Sequence, residues 1–191
     1  MTRTYTLKRR AERQADTRRR IVEAAVDLHS SVGPALTTFS MLAERAGVQR
    51  HTLYAHFPDE LSLNLACSSL AMEERDPLPN AEPWRMIDDR RVRLRAGLTA
   101  LYGWNQRNAA LAACVLRDVE YDAVTKQIVE LRFEPSMASY REVLGGTLDA
   151  KGRAVLLLAL SFFTWRTLVR DVGLTTAEAV ETMVGAVEGT N

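Results

Sequence analysis

Apolar residues recur every three or four positions along most of the chain, which is the spacing of one face of an α-helix. In the first such segment Ile21, Ala24, Ala25 and Leu28 share a face, and Gly33-Pro34 ends it. The sequence lacks the alternating Val, Ile and Thr runs between turns that would mark strands. The pattern therefore predicts an all-α protein.

A group of shorter helices is predicted next. Thr37 or Thr38 can cap a helix that ends at Gly47, and a second helix covers about residues 49–57. A third runs over about residues 59–75, where a proline precedes it and an aspartate can cap it. The segment Asp-Pro-Leu-Pro-Asn that follows has the composition of a linker.

The second half of the chain is also predicted to be helical. A capping box is expected at the last helix, where Thr175 precedes Glu178 by three residues. The predicted helices cover about residues 84–106, 108–121, a shorter stretch to 133, 135–145, 150–172 and the segment after Thr175.

The net charge of +1 is unevenly distributed along the sequence. Residues 1–56 contain ten Lys/Arg and five Asp/Glu, a balance of +5, whereas residues 57–191 have a balance of −4. A basic front on an acidic body favours contact between the front and a polyanion.

The two cysteines, Cys67 and Cys114, are expected to be reduced thiols, since so distant a pair indicates neither a disulfide framework nor a metal site. The basic N-terminus is not followed by the apolar segment of a leader peptide. The longest apolar run, Ala154–Leu160, is far shorter than the roughly 20 residues of a membrane span. We therefore expect a soluble, cytoplasmic protein with no membrane partner.

The most informative segment is residues 38–57, which predicts two short helices joined by a tight turn. Gly47 suits the left-handed backbone of such a turn, and the small Ala43 permits close approach of the two helices. Leu53 and Phe57 are four residues apart and are expected to face the core. This is the pattern of a helix-turn-helix, whose second helix enters the major groove of DNA.

Polar residues remain on the outer face and are the candidates for DNA contact. Side chains on the second helix can hydrogen-bond base edges or phosphates, and the N-terminus of the first helix favours a phosphate. The candidates are Thr37, Thr38, Gln49, Arg50, His51, Thr52, Tyr54 and His56, with Tyr54 expected on a phosphate.

This segment strongly resembles the N-terminal domain of the TetR family of repressors. The resemblance covers about residues 15–65 and rests on Thr37-Thr38, Leu42–Val48 (LAERAGV) and Thr52–Phe57 (TLYAHF). It implies a three-helix DNA-binding unit with a linking fourth helix, then a helical bundle that binds a small molecule and forms a homodimer. In most members ligand binding releases the DNA. The domains expected are a basic flexible arm (1–14), the DNA-binding domain with its linking helix (15–75) and a regulatory and dimerisation domain (76–191).

Three positions depart from the family pattern. Gln49 stands where Ser is usual, and His51 stands where Gly is usual. Glu60 replaces a Lys that reaches a phosphate, and therefore adds an anion near DNA. The basic residues Arg3, Lys8, Arg9, Arg10 and Arg13 can compensate, each phosphate contact changing the salt dependence of binding by about one unit.

In the family the last two helices usually pair with their copies in a dimer, and small residues such as Ala159 and Gly185 would permit close approach. The apolar stripes on these helices fit either such an interface or an internal core. They are Ala154, Leu157, Leu158, Ser161, Phe162, Trp165 and Leu168 on one helix, and Ala179, Val180, Met183 and Val187 on the other.

A pocket for an apolar or amphipathic effector is expected among the preceding helices, because aromatic residues and methionines suit such a ligand. Each of these residues taken alone is more often core. The candidates are Trp84, Met86, Leu101, Tyr102, Trp104, Cys114, Tyr121, Phe133, Met137 and Trp165. Arg117 is expected in a salt bridge or on a solvated face, with an anionic ligand as the alternative.

An enzyme is not expected, because the sequence contains no phosphate loop, dinucleotide fingerprint or nucleophile elbow. His51 and His56 lack the four-residue spacing of a helical metal pair, so neither a metal nor a cofactor is predicted. Two alternatives stay open: a helical interaction protein that has lost DNA binding, and an activator in place of a repressor.

Overall fold

The computed structural model describes residues 2–146 and 148–190, with side chains from Lys8 onward. Every regular element in that part of the chain is helical, so the all-α prediction is confirmed. The helices are α1 (Thr2–Ser31), α2 (Phe39–Ala46), α3 (Arg50–His56), α4 (Glu60–Ser69), α5 (Glu82–Arg85), α6 (Arg90–Arg107), α7 (Ala109–Asp118), α8 (Ala123–Arg132), α9 (Glu134–Gly145), α10 (Ala150–Leu160), α11 (Phe162–Arg166) and α12 (Thr176–Glu188). A 3-10 turn, Pro34–Leu36, precedes α2, and π-helical turns follow α4 (Leu70–Arg75) and α11 (Thr167–Asp171).

The chain forms two compact units. The first contains the residues up to Pro77 together with Ala113–Val129, and the second contains Leu78–Ala112 and the residues from Glu130 onward. Residues 113–129 therefore cluster with the N-terminal unit, although the sequence placed them in the regulatory domain. The segment expected as a flexible arm is helical from Thr2, as the beginning of α1. The side chain of Arg3 lies outside the described part.

The core of the first unit lies where α1 packs against α2 and α4. Ile21 of α1 and Leu53 of α3 are 0% exposed, and Leu42 and Leu63 are nearly as deeply buried. Phe57, directly after α3, is also buried, so the prediction that Leu53 and Phe57 face the core is confirmed. Burial of each such side chain stabilises the fold by about 1.5–3 kcal/mol, and it holds the inner face of α3 against the core.

A fully buried carboxylate, Asp118 at the end of α7, holds the loop between α1 and α2. It accepts hydrogen bonds from the backbone N–H of Ala35 (3.0 Å), from Arg117 Nε (2.7 Å) and from the Tyr121 hydroxyl (2.6 Å). Arg117 also donates to the carbonyl of Val32 at 2.8 Å. Burial would raise the pKa of Asp118, but these three hydrogen bonds outweigh it and lower that pKa. The salt-bridge expectation for Arg117 is confirmed.

The same loop depends on a glycine. Gly33 has φ of +100°, a conformation that side-chain-bearing residues rarely adopt. A Cβ placed there would collide with the guanidinium of Arg117 and the carboxylate of Asp118. The close approach of α7 to this loop therefore requires glycine for two independent reasons.

A second buried polar pair lies between α1 and α4. His29 Nδ1 and Cys67 Sγ are 3.3 Å apart, and both side chains are buried. Burial lowers the pKa of His29 to about 4 and raises the pKa of the Cys67 thiol to about 12. Both groups are therefore neutral near pH 7. The free thiols expected at Cys67 and Cys114 are present in the structure.

In the second unit α6 packs against α9, α10, α11 and α12. Leu94 and Leu98 of α6 are 0% exposed. The hydroxyl of the buried Tyr102 donates to the carbonyl of Ala159 in α10 at 3.0 Å, which satisfies its polar end. The capping box predicted for α12 is present, with Thr175 and Glu178 bonded to each other's backbone.

Two helices predicted as continuous are broken in the structure. Residues 84–106 divide into α5 and α6 because Asp89 caps α6, its carboxylate accepting from the Val92 N–H. Residues 150–172 divide at Ser161, which is extended (ψ 132°) and accepts from the Phe163 N–H. Asp and Ser compete for backbone groups in this way, and apolar periodicity does not reveal it.

We expect Gly33→Ala to lower the free energy of unfolding by at least about 2 kcal/mol, because it adds left-handed strain and a steric collision. Gly103→Ala in α6 is the control, since its Cβ would meet nothing closer than 3.5 Å. That change should raise stability by up to about 1 kcal/mol. Equal denaturation midpoints for the parent and Gly33→Ala would contradict the packing described here.

Stability should also depend on pH through His29. Its folded pKa of about 4 lies below the ordinary value of 6.5, so the unfolded chain binds the proton more readily. The contribution of this pKa shift to the free energy of unfolding is roughly 3 kcal/mol. It is complete above pH 6.5 and declines as pH falls toward 4. Denaturant titrations between pH 4 and 7 should show a weaker dependence of the free energy of unfolding on pH for His29→Gln than for the parent. Equal dependences would contradict this role of His29.

Candidate nucleic-acid interface

The N-terminus of α2 is built by two threonines with different tasks. Thr38 is the cap, its hydroxyl accepting from the Met41 N–H at 3.2 Å. The Thr37 hydroxyl instead donates to the Gly33 carbonyl at 2.7 Å and ties the cap to the loop held by Asp118. Thr38 is exposed and Thr37 is half-buried. The positive end of the α2 dipole is thus presented by an exposed hydroxyl, which suits a phosphate.

The turn between α2 and α3 has the geometry predicted from Gly47. This residue is left-handed (φ 64°, ψ 41°), and its N–H donates to the carbonyls of Ala43 and Glu44. The Val48 N–H also bonds the Ala43 carbonyl, at 2.9 Å. These bonds satisfy the orphan carbonyls at the end of α2 and fix the direction in which α3 begins.

The outward face of α3 is polar. Gln49, Arg50 and His51 are exposed, and Tyr54 is 45% exposed. Thr52 and His56 are half-buried, and the Thr52 hydroxyl lies 3.4 Å from His51 Nε2. The structure thus brings these six predicted residues together on one short helix and its cap.

Tyr54 is held in place by an aromatic contact. Its ring packs on Phe39 of α2 with centroids 5.0 Å apart, and its hydroxyl stays at the surface. A rigid ring with an accessible hydroxyl can donate to a phosphate at little entropic cost. No sequence pattern predicted this positioning role of Phe39.

Two arginines of α1 fasten the helix pair, and sequence reasoning counted them only as charge. Arg20 Nη1 donates to the Ala46 carbonyl at the end of α2, at 3.1 Å. The guanidinium of Arg18 lies over the ring of Phe57, 4.8 Å from its centroid. Their proximity to Ile21, the first buried residue of α1, is the sequence feature that could have suggested contacts with the core.

Glu60, the departure from a usual Lys, is exposed at the first position of α4. The preceding Asp59 caps this helix, its carboxylate accepting from the Ser62 N–H at 2.7 Å, and this bond lowers the pKa of Asp59. Two carboxylates therefore stand at the N-terminus of α4. These negative charges interact favourably with the positive end of the helix dipole, but they would repel a phosphate at this end of α4.

A cavity of about 40 Å³ in the first unit lies beside Glu60, with His29, Phe39 and Asn64 also on its wall. This volume is enough for water but far below the several hundred Å³ of a small-molecule site.

The predicted effector residues are divided between the two units. Met86 is 83% exposed and Tyr121 is 63% exposed, whereas residues that line a small-molecule site are usually more buried. Tyr121 bonds Asp118, and it belongs with Cys114 to the first unit. The others lie in the second unit: Trp84, Leu101, Tyr102, Trp104 and Trp165 are buried, and Phe133 and Met137 are half-buried.

The apolar stripes of the last helices divide between core and surface. The stripe of α12 is internal, because Ala179, Val180 and Val187 are at most 2% exposed and Met183 is 8% exposed. Of the two alternatives, an interface or an internal core, this stripe of α12 fits the core, because α12 packs against α6 and α10. Phe162 and Trp165 are internal as well, and Ser161 and Leu168 are half-buried. On α10 the exposed members are Ala154, Leu157 and Leu158.

Among the described residues no three His, Cys, Asp or Glu side chains are grouped to hold a metal ion. No single helix in that part of the chain is long and apolar enough to cross a membrane. The bent pair Ala150–Leu160 and Phe162–Asp171, at 61°, has the required length and composition only in combination.

Residues 21–66 match the model of the family described as bacterial regulatory proteins, tetR family. No curated protein sequence matches the chain. Solved structures of similar fold include the following three. PfmR, a TetR family transcriptional regulator from Thermus thermophilus, is 20% identical with a TM-score of 0.62, over 87% of this chain and 96% of that one.

A tetR-family transcriptional regulator from Streptomyces coelicolor is 18% identical with a TM-score of 0.60, over 92% of this chain and 80% of that one. The transcriptional regulator FadR from Bacillus subtilis, in complex with stearoyl-CoA, is 14% identical with a TM-score of 0.64, over 88% and 96%. The helix-turn-helix segment is thus similar to the N-terminal domain of the tetR family of bacterial regulatory proteins, and the fold of the chain is similar to that of solved transcriptional regulators of this family.

Glu60→Lys should strengthen binding to DNA, because it replaces an anion by a cation beside the helix-turn-helix. The slope of log K against log salt should steepen by about one unit if the new side chain reaches a phosphate. Glu74→Lys makes the same change of charge at another exposed position of this unit. Fluorescence anisotropy at several salt concentrations measures both, and identical slopes for the two variants would refute a phosphate contact at residue 60.

Proposed function

We propose that this protein is a ligand-responsive repressor that binds a palindromic operator as a homodimer. The observation that carries the proposal is the exposed polar face of α3, presented on a helix whose inner face is fully buried. Gln49, Arg50, His51, Thr52 and His56 read or contact the DNA, Tyr54 donates to a phosphate, and Thr37 and Thr38 present the N-terminus of α2. Access to DNA places the protein in the cytoplasm.

The dimer forms through the exposed faces of the last helices. Leu157 is 53% exposed and Leu158 is 59% exposed on α10, with Phe163 of α11 at 46%. On α12 a Cβ at Gly185 would meet no atom within 4 Å, so a partner helix can approach closely there. Two such units would place their α3 helices in successive major grooves about 34–36 Å apart, hence a palindromic operator.

The effector binds the second unit and is apolar or amphipathic. Its buried aromatic residues suit an apolar body, and the FadR neighbour shows this fold with an acyl-CoA bound. Two buried N–H donors of this unit, Asn105 Nδ2 and Trp165 Nε1, have no hydrogen-bond partner among the described residues. Such donors favour a ligand that also carries an acceptor, because an unpaired buried donor costs about 1–3 kcal/mol.

The response passes through α7, which begins in residues of the second unit and ends at Asp118 in the first. A displacement of α7 moves the carboxylate that holds the Ala35 N–H, and with it the loop before α2. The effector can release DNA only through a difference in its affinity for the two conformations.

The test is selection of genomic DNA fragments by the purified protein at physiological salt, read by sequencing. A palindromic site should be enriched, and Arg50→Ala should lose it while remaining a dimer in sedimentation. A reporter gene behind the site then distinguishes repression from activation. A folded dimer that enriches no sequence would overturn the proposal and favour the interaction-protein alternative.

Leu158→Glu should weaken dimerisation by placing a charge in an apolar contact. Leu131→Glu is a matched control, since Leu131 is 55% exposed but lies on α8. Sedimentation equilibrium over a range of concentrations should show a raised dissociation constant for the first variant only. Equal constants for both would show that α10 does not form the interface.

A further inference from the structure

The N-terminal part of α1 is helical although it has no buried face. From Lys8 to Arg20 each residue is exposed except Thr17, which is half-buried, and the first buried residue is Ile21. These 13 residues span about 20 Å of helix at 1.5 Å per residue. We name residues 8–20 the basic extension.

The basic extension has a large excess of positive charge. It contains seven Lys or Arg and two acidic residues, Glu12 and Asp16. Arg20 forms an ion pair with Asp16 at 3.4 Å, and Arg19 pairs with Glu23 at 3.0 Å. The other cations are Lys8, Arg9, Arg10, Arg13 and Arg18.

Three physical terms oppose this helix in the isolated protein. It buries no apolar face, and an unpacked helical segment of this length is marginal in water. Its first turn contains no acidic residue, so nothing complements the positive end of the dipole. Arg9 and Arg13 are like charges four residues apart, which is unfavourable. A polyanion would reverse the two electrostatic terms.

The basic extension is continuous with the helix-turn-helix. Arg20 bonds the last carbonyl of α2 and Arg18 covers Phe57, so the C-terminal end of the extension is fixed against both helices. Arg9, Arg10 and Arg13 precede Arg20 by eleven, ten and seven residues, and these spacings place all four on one side of α1. The cations therefore continue along the helix from the element that meets DNA.

We propose that the basic extension is a second DNA-binding element. Contacts with the phosphate backbone of DNA stabilise its helix. The basic extension provides positive charge that is missing at the start of α4, where Glu60 stands in place of a lysine. The proposal rests on the DNA-binding function proposed above. It adds that Arg9, Arg10 and Arg13 bind phosphates without reading sequence and that the extension gains helical stability on DNA.

The composition favours DNA over an anionic membrane. A helix that lies on a lipid surface needs a large apolar face for insertion. Between Lys8 and Arg20 the only apolar side chains are those of Ala11 and Ala15. The extension can therefore bind a surface of phosphates but cannot insert into one of lipids.

The experiment compares the parent with a triple variant, R9Q/R10Q/R13Q, on two 30-base-pair duplexes: the selected operator and a random sequence. Glutamine removes the charge and keeps a high helix propensity. The control K126Q/R141Q/K151Q makes the same change of net charge at positions outside the extension. Anisotropy titrations between 50 and 300 mM salt give the slope of log K against log salt, and hydrogen exchange reports protection of residues 8–20.

The slope should be smaller by about 2.7 units in the triple variant, about 0.9 for each phosphate, on both duplexes and should be unchanged in the control. Amides of residues 8–20 should gain protection when the parent binds either duplex. Equal slopes for the parent and the triple variant, with operator preference retained, would overturn this proposal and leave the regulator function intact.

If the parent shows no sequence preference but the triple variant still has the smaller slope, the extension binds DNA and the proposed regulatory function fails. Failure of the parent to bind either duplex would overturn both. Binding of the parent to vesicles containing anionic lipid, with no binding to DNA, would assign the extension to a membrane and overturn the DNA proposal.

Discussion

The carboxylate of Asp118 is fully buried, yet it remains ionised because three donors converge on it: a guanidinium, a phenol and a backbone N–H. Removing one donor would leave the buried charge of Asp118 without enough hydrogen bonds. The three hydrogen bonds to this carboxylate are therefore needed together. Through Ala35 it sets the loop after α1, and Thr37 links that loop to the cap of α2. The position of the helix-turn-helix thus depends on a residue of α7.

The proposed DNA-binding surface, the outer face of α3, also depends on the side chains that are buried on the inner face of this helix. The inner face of α3 is buried completely, so its short length needs no further support. The residues on the outer face of α3 are therefore not needed for packing, and they can be polar or charged. Tyr54 is the exception, since its ring also stabilises the junction with α2 through Phe39. Substitution of Tyr54 should therefore affect both folding and the proposed DNA contact, whereas substitution of Arg50 should affect the proposed contact alone.

Features of the fold that arise from short-range chemistry could be predicted from the sequence. The caps at Thr38, Asp59 and Thr175 and the turn at Gly47 each depend on residues within four positions. The bond from Ala35 to Asp118 joins residues 83 positions apart, and no local pattern indicates it. The sequence left two alternatives for the apolar face of α12, a core or an interface, for a related reason: an apolar stripe indicates that a surface is covered, but not by which neighbour.

The clustering of residues 113–129 with the N-terminal unit bears on modularity. A fragment ending after α4 would contain the whole helix-turn-helix but would lack the acceptor for the Ala35 N–H and the partner that encloses Gly33. Its loop would be released, and its α2 cap would be displaced with it. A chimaera that transplants this DNA-binding unit onto a foreign sensor must therefore include the end of α7, so the unit that evolution can exchange is discontinuous in sequence.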